Sequence, residues 1–500
     1  MSKRTTVSSP SSSSSGYDSG PDPASPPPAL IHATRSFLNQ PAQKLISKDY
    51  FRRLYNAPKR THRFKAIEFK PQATLLEASA GPFSGFFTLF WMIVALLILN
   101  SMRDTYARTH TLLGPHIINY LKKDLLKVAL VDLQMYIATY FGVGLQLLVK
   151  HGIVSWTQTG WILQNVWQTI FLFYFMWVAE YMQFPWIARV FLLLHSLVLL
   201  MKQHSYAFFN GYLWSVLTQV KVIDTALKKD TSTLSLKDTK DLAEFRTFIA
   251  QELTQQDGPN FPDNISLKNY FEFSMFPTLV YRMAYPRTSS IRWGYVGEKT
   301  LATFGVFLLM IIVAENSLYP IAMEALSLRG LSTMEKVQRY PAILVDLIPP
   351  FVLMILLVFY IIWDAILNGI AELTRFADRG FYGAWWNCVT WDQFARDWNT
   401  PVHLFLLQHV YHSTISVFNV SKRTATLYTF LLSSCIHELV MFVIFKKLRG
   451  YLLCLQMCQL PLVAISRTRY LRDKKVLGNV IFWLGIMTGP SLMCSLYLTF

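Results

Sequence analysis

Charge is what this 500-residue chain is short of: 15% of it is Asp, Glu, Lys or Arg, against 52% hydrophobic and 15% aromatic residues. That balance is too apolar for a soluble enzyme and points to a polytopic membrane protein. Cysteine is scarce as well. The five, at 388, 435, 454, 458 and 494, have no paired CxxC spacing, which excludes a disulfide framework and a thiolate zinc site. Alternating segments of about ten residues are absent, so a membrane barrel is excluded. In lipid each backbone amide has to be satisfied within its own segment, so the long apolar stretches are helices and the fold class is an all-α polytopic membrane protein. The N-terminus lacks the apolar core of a signal peptide, and targeting is expected from the first membrane helix. The net charge of +17 comes without a nucleic-acid-binding module. Its Lys and Arg gather at loop ends such as Lys122–Lys123, Lys446–Lys447 and Arg472 to Lys475, where cytoplasmic loops carry them, so nucleic acid is not expected as a partner.

Residues 1–50 contain SSPSSSSSGYDSGPDPASPPP and cannot bury enough apolar area to offset their ordering entropy, so they read as a disordered cytosolic tail. Residues 51–500 read as one membrane domain that opens on a basic patch, Arg52 to Arg63, suited to anionic lipid. Nine spans are expected: Phe86 to Met102, Leu125 to Val149, Trp161 to Ala179, Phe184 to Met201, Leu301 to Leu318, Ala342 to Trp363, Leu427 to Phe445, Tyr451 to Ile465 and Val476 to Tyr497. Asp132, Asp346 and the Pro349–Pro350 pair inside them favour helix or cavity contacts over lipid. An extramembrane insert, 221–269, separates the fourth and fifth spans and is too short for a domain. The sequons at Asn264 and Asn419 fall on the cytosolic side of this topology and are expected to be unused.

The chemistry concentrates between Phe381 and Phe445. LYTFLLSSCIHELVMFVIF, Leu427 to Phe445, is long enough to cross a bilayer and carries His437 and Glu438 at its centre. An ionisable residue at that depth costs about 2.5 kcal/mol or more unless it faces protein or a wet cavity, so His437 is a functional candidate, with a histidine satisfied by a neighbouring helix as the plain reading. Glu438 points about 100° away and is expected to serve a neighbouring helix. Upstream lies FYGAWWNCVTWDQFARDWNTPVH, which reads either as an interfacial aromatic belt or as a site loop. Asn399 in WNTPVH reads either as a neutral hydrogen-bond donor to developing charge or as a helix cap before Pro401. His437–Glu438 opens an HExxH pattern, but Met441 stands at the second ligand position. His403, His409 and His412 lack a third ligand at a usable spacing, so no metal is expected.

FYGAWWN is similar to the FYxDWWN signature of the sterol and diacylglycerol acyltransferases in the membrane-bound O-acyltransferase superfamily. WNTPVH and CIHEL follow in the same order, and HVYHS and GNVIFWLGIMTGPS resemble the fungal sterol O-acyltransferases. The resemblance runs from about Tyr50 to Phe500. It implies an acyl-CoA:sterol O-acyltransferase with an intramembrane catalytic tunnel, making steryl ester in the endoplasmic reticulum membrane, with long-chain acyl-CoA as co-substrate, no cofactor, and a homo-oligomeric assembly. His437 takes the catalytic place, joined by Asn399. Phe381, Tyr382, Trp385, Trp386 and Asn387 match the signature. Gln393, Arg396, His403, Tyr411 and Ser433 resemble residues lining the acyl-CoA path, and Lys422 or Arg423 a phosphate partner. FSMFPTLVYRMAYPRTSSIRW also looks like the family, and its Arg282, Arg287 and Arg292 suit either CoA phosphates or interfacial snorkelling. MKQHSY, Met201 to Tyr206, resembles a segment with a structural or substrate-side role. Ala384 departs from the signature, which has aspartate there; either another group, such as Asp392 or Asp397, is expected to stand in, or the loop is expected to be looser. Diacylglycerol as acceptor, or a transporter using Asp132, Asp346, His437 and Glu438 as an ion path, are the alternatives.

Overall fold

The computed structural model describes residues 84–500 apart from 113, 230–242, 244, 245, 248, 255–258, 467 and 469–473. The expected tail, the basic patch at Arg52 to Arg63 and the middle of the insert lie outside the described residues. The described chain is helical, with one isolated bridge between Arg287 and Phe376. In chain order its principal helices are α1 (Ser84–Thr109), α2 (Leu125–Lys150), α3 (Trp156–Tyr181), α4 (Trp186–Lys229), α5 (Leu267–Met275), α6 (Trp293–Gly330) and α7 (Thr333–Leu373). After the Trp-rich loop follow α8 (residues 400–418), α9 (Lys422–Phe445), α10 (Tyr451–Ser466) and α11 (Lys475–Thr499).

Among the described residues seven helices are long and apolar enough to cross a membrane: α2, α3, α4, α6, α7, α9 and α11. The count of nine is not reached. The eighth expected span is α10, which falls short of the length a bilayer core requires and is interrupted at Cys458. The first lies within α1. Apolar side chains turned outward, such as Leu126, Leu301 and Phe304, form the surface that lipid covers.

Charged residues hide the true ends of these helices. The fourth span was expected to stop at Met201, before Lys202, yet α4 runs 44 residues through Lys229 and takes in the start of the insert. The Lys202 ammonium donates to the carbonyls of Phe273 (3.2 Å), Ser274 (2.8 Å) and Phe276 (2.6 Å), capping the C-terminal end of α5 in the protein interior. Three buried glutamates cap helices from the side. Glu315 accepts from His116 N and Ile117 N at the start of the helix Pro115–Lys122. Glu372 accepts from Arg292 N at the start of α6, and Glu438 accepts from Gly450 N and Leu453 N at the start of α10. Each carboxylate satisfies orphan amides and meets the positive end of a helix dipole.

Helices α2, α3 and α4 share a core of Val128, Met135, Phe171, Phe175, Leu192 and Leu199, reinforced by the pair Asp132–His195 (2.5 Å). The insert folds back on α4: Ile249, Leu253, Phe261 and Ile265 bury against Leu213, Val216 and Val220. Asn264 is buried there, donating to Asn210 Oδ1 at 2.7 Å and Tyr281 Oη at 3.1 Å, which leaves no room for a glycan. A separate cluster of Phe359, Trp385, Cys388, Phe482 and Ile486 joins the Trp-rich loop to α7 and α11.

Candidate active site

The loop from Phe381 to Asn399 is folded against its own end. Gly383 N donates to Asp397 O (2.8 Å) and Thr400 N to Phe381 O (3.0 Å), a two-bond clamp that leaves Asn399 between its rungs. A single turn at Trp385–Asn387 reverses the chain. Trp385 points inward, 2% exposed, with its ring 4.7 Å from Trp398, 5.1 Å from Phe359 and 5.7 Å from Trp483. Phe381 is buried in a neighbouring cluster with Phe276, Ala371 and Phe376, and Trp386 is exposed. Trp385 and Trp398 therefore pack inside the protein instead of forming an interfacial belt. Tyr382 reaches α7, donating to Asp364 Oδ1 at 3.2 Å, and Lys299 of α6 holds Asp364 Oδ2 at 2.6 Å. Helix α11 takes the other side. Asn479 Nδ2 donates to the carbonyls of Trp386 (3.1 Å) and Cys388 (2.9 Å), and Trp483 Nε1 to Trp386 O (3.1 Å). Gly485 makes that approach possible, since a Cβ there would stand 2.5 Å from the Trp391 ring.

Asn399 is an N-cap: its Oδ1 accepts from Val402 N at 3.2 Å and Pro401 occupies the first turn of α8. The cap reading holds, and because it uses the amide oxygen it does not occupy the NH₂ group that the other reading requires. Helix α8 continues to Asn419, whose φ of 50° closes a turn into α9, and the two helices pack on each other. His437 stands two-thirds along α9 with its ring exposed, while Ser434 and Glu438, turned to one side of it around the helix, are buried. Nδ1 lies 2.7 Å from Ser433 O. A carbonyl only accepts, so Nδ1 carries a proton and Nε2 is the ring nitrogen that this contact leaves open. Glu438, bound to α10 and to Tyr497 Oη at 2.5 Å, serves neighbouring helices as expected.

The residues expected along an acyl-CoA path are dispersed. Gln393 Oε1 accepts from Val389 N within the loop (3.4 Å), and Arg396 is exposed and paired with Asp392 (3.1 Å). His403 lies in the first turns of α8, where burial and then the Arg396 charge hold its imidazole below its usual pKa. Tyr411 is half-buried, its ring edge to His412. Ser433 contributes through its carbonyl. Lys422 is exposed at the first turn of α9, fifteen residues or about 22 Å along the axis from His437. Arg287 and Arg292 are engaged with Glu272 and Glu372, so the guanidinium forks read as phosphate ligands are built into the fold.

Residues 220–499 match the membrane-bound O-acyltransferase family. A sterol O-acyltransferase 2 of Candida albicans is 47% identical over 482 residues, covering 88% of this chain and 79% of that protein. The chain belongs to the membrane-bound O-acyltransferase family. Another relative, sterol O-acyltransferase 2 of Saccharomyces cerevisiae, is 48% identical over 431 residues, covering 84% of this chain and 67% of its own. A diacylglycerol O-acyltransferase 1 of Dictyostelium discoideum is 34% identical over 238 residues, 47% of this chain and 37% of that protein.

Within this membrane-bound O-acyltransferase, Ala384 is exposed and the missing signature carboxylate has a neighbour. Asp397 lies against Gly383, with its Cγ 2.9 Å from where a Cβ on that glycine would be. Asp392 is turned to Arg396 instead. Sequence reasoning missed Lys299, Asp364 and Asn479, because each acts across a long chain separation. MKQHSY carried the one available signal for a further contact: Ser205 accepts from Tyr281 N and bonds His409 Nε2, both at 2.8 Å, tying α4 and the 276–281 segment to α8.

Proposed function

We propose that this membrane-bound O-acyltransferase is an acyl-CoA:sterol O-acyltransferase that esterifies the 3-hydroxyl of ergosterol or a precursor with a long-chain acyl group. The observation that carries the reading is His437, exposed on a membrane helix with Nδ1 committed to Ser433 O. Nε2 accepts the hydroxyl proton as the sterol oxygen attacks the thioester carbonyl. The C–S bond then breaks, and the proton passes from the imidazolium to the departing sulfur, giving steryl ester and CoA. Positioned base catalysis of this kind is worth about 10² to 10⁴ in rate. Asn399 Nδ2 donates to the oxyanion of the tetrahedral intermediate without burying a charge. Lys422 or Arg423 meets the CoA phosphates, with Gln393, Arg396, His403, Tyr411 and Ser433 along the acyl-CoA path. CoA reaches the site from the cytosol and sterol from the bilayer, through a tunnel that ends at His437.

The same reading places the enzyme as a homo-oligomer in the endoplasmic reticulum membrane. Residues 1–50 are its cytosolic tail, 51–500 its acyltransferase domain, and 221–269 the insert. Of the residues that the transport alternative would use, Asp132 is paired with His195, and Glu438 is bound to the α10 amides and Tyr497, where each has a structural role. Membranes containing the protein, given labelled acyl-CoA with either ergosterol or diacylglycerol, test the proposal. Labelled steryl ester is expected; label appearing only in triacylglycerol would overturn the choice of acceptor.

A further inference from the structure

The pair Lys299–Asp364 lies inside two membrane helices, its side chains 8% and 15% exposed. A buried ion pair is a weak source of stability, and apolar replacements of similar volume are often tolerated as well or better. What an apolar pair could not supply is an acceptor. Asp364 uses Oδ2 for Lys299 at 2.6 Å and offers Oδ1 to the Tyr382 hydroxyl at 3.2 Å. Local structure is shaped to this end. Asp364 sits in a π-helical turn, Tyr360–Ile366, and the carbonyls of Trp363 and Asp364 are taken up by Asn368 Nδ2 at 3.3 and 3.0 Å. Tyr382 in turn lies between Phe381 and Gly383, the two residues whose backbone clamps the loop on either side of Asn399.

We propose that Lys299 and Asp364 are positioning residues for acyl transfer: the ion pair presents one carboxylate oxygen to Tyr382, and Tyr382, so held, fixes the clamp that aims the Asn399 amide. The inference rests on the reading of Asn399 as an oxyanion donor. It also gives a signature loop with alanine at 384 a tether to α6 and α7, beside the one that Asn479 and Trp483 supply from α11.

The test is the paired substitution Lys299→Met with Asp364→Leu, which removes both charges at similar volume. The variant is expected to melt at or above the wild-type temperature, with kcat lowered by about tenfold or more and a smaller change in the KM for acyl-CoA. Tyr382→Phe, which deletes one hydroxyl, is expected to give the same loss. Combining all three substitutions is expected to be no worse than either alone, because they break one chain of contacts. A readout independent of turnover comes from Cys388, fully buried in the loop, with its thiol pushed up to about 12 by burial and then by Asp397. Iodoacetamide labelling of Cys388, localised by mass spectrometry, is expected to be slow in the wild type and faster in both variants.

Wild-type kcat with wild-type Cys388 protection in Lys299→Met/Asp364→Leu would overturn the proposal, as would losses that multiply in the combined protein. Should the paired variant fail to fold, Tyr382→Phe alone carries the test. If the wild type makes no ester at all, the functional reading fails, and Cys388 labelling still decides whether the tether holds the loop.

Discussion

At Asn399 the observed cap and the proposed oxyanion contact fall on different atoms, and substitution separates them. Oδ1 caps α8, and Nδ2 is the atom proposed for the reaction. Asn399→Asp keeps an acceptor at the cap and removes the donor, so stability is expected to stay near wild type while kcat falls about 10²- to 10³-fold. Asn399→Ala is expected to lose the activity and also about 1 kcal/mol of stability. Thermal melts and steady-state rates on purified protein check both, and full turnover in Asn399→Asp would reduce Asn399 to a cap. His437 and Asn399 were legible as residues because a histidine in an apolar run and an asparagine ahead of Pro401 are conspicuous. The tautomer of His437 was not, since it depends on the carbonyl of Ser433. Nor was the inward turn of Trp385, since an indole suits a membrane interface and a protein core equally well.

The helices show the same division. Their existence followed from long apolar runs, and the end of the fourth was misplaced where Lys202 falls inside it. Lys202 looks like a boundary in the sequence and Glu315 sits inside the expected fifth span, yet each is satisfied by the backbone of a neighbouring element. Their partners lie dozens to hundreds of residues away, beyond the reach of a periodicity argument. Glu438 tests the capping role. Glu438→Gln replaces one acceptor oxygen with an NH₂ facing Gly450 N, Leu453 N or Tyr497 Oη, and is expected to lower stability by about 1–3 kcal/mol. Turnover per folded molecule is expected to persist, in contrast to its neighbour His437. A melting temperature equal to wild type would show that α10 does not need this cap.

For the whole molecule, the all-α architecture was fixed by the solvent, because lipid leaves the backbone few alternatives. The arrangement of the site came from contacts among α4, α6, α7 and α11 that the linear order conceals. Exposed Lys422 lies about 22 Å along α9 from His437, and a CoA phosphate that meets it, as proposed, is held by long-range charge as well as by contact. Lys422→Glu is therefore expected to raise the KM for acyl-CoA without lowering kcat, and to weaken the rise of KM with ionic strength. An unchanged salt dependence would remove Lys422 from the path. The most direct measurement of the central claim is acyl transfer to sterol by His437→Ala in membranes, at matched levels of folded protein. A fall of about 10² to 10⁴ in rate with the fold intact is expected, and ester formation at the wild-type rate would contradict the assignment of His437 as the base.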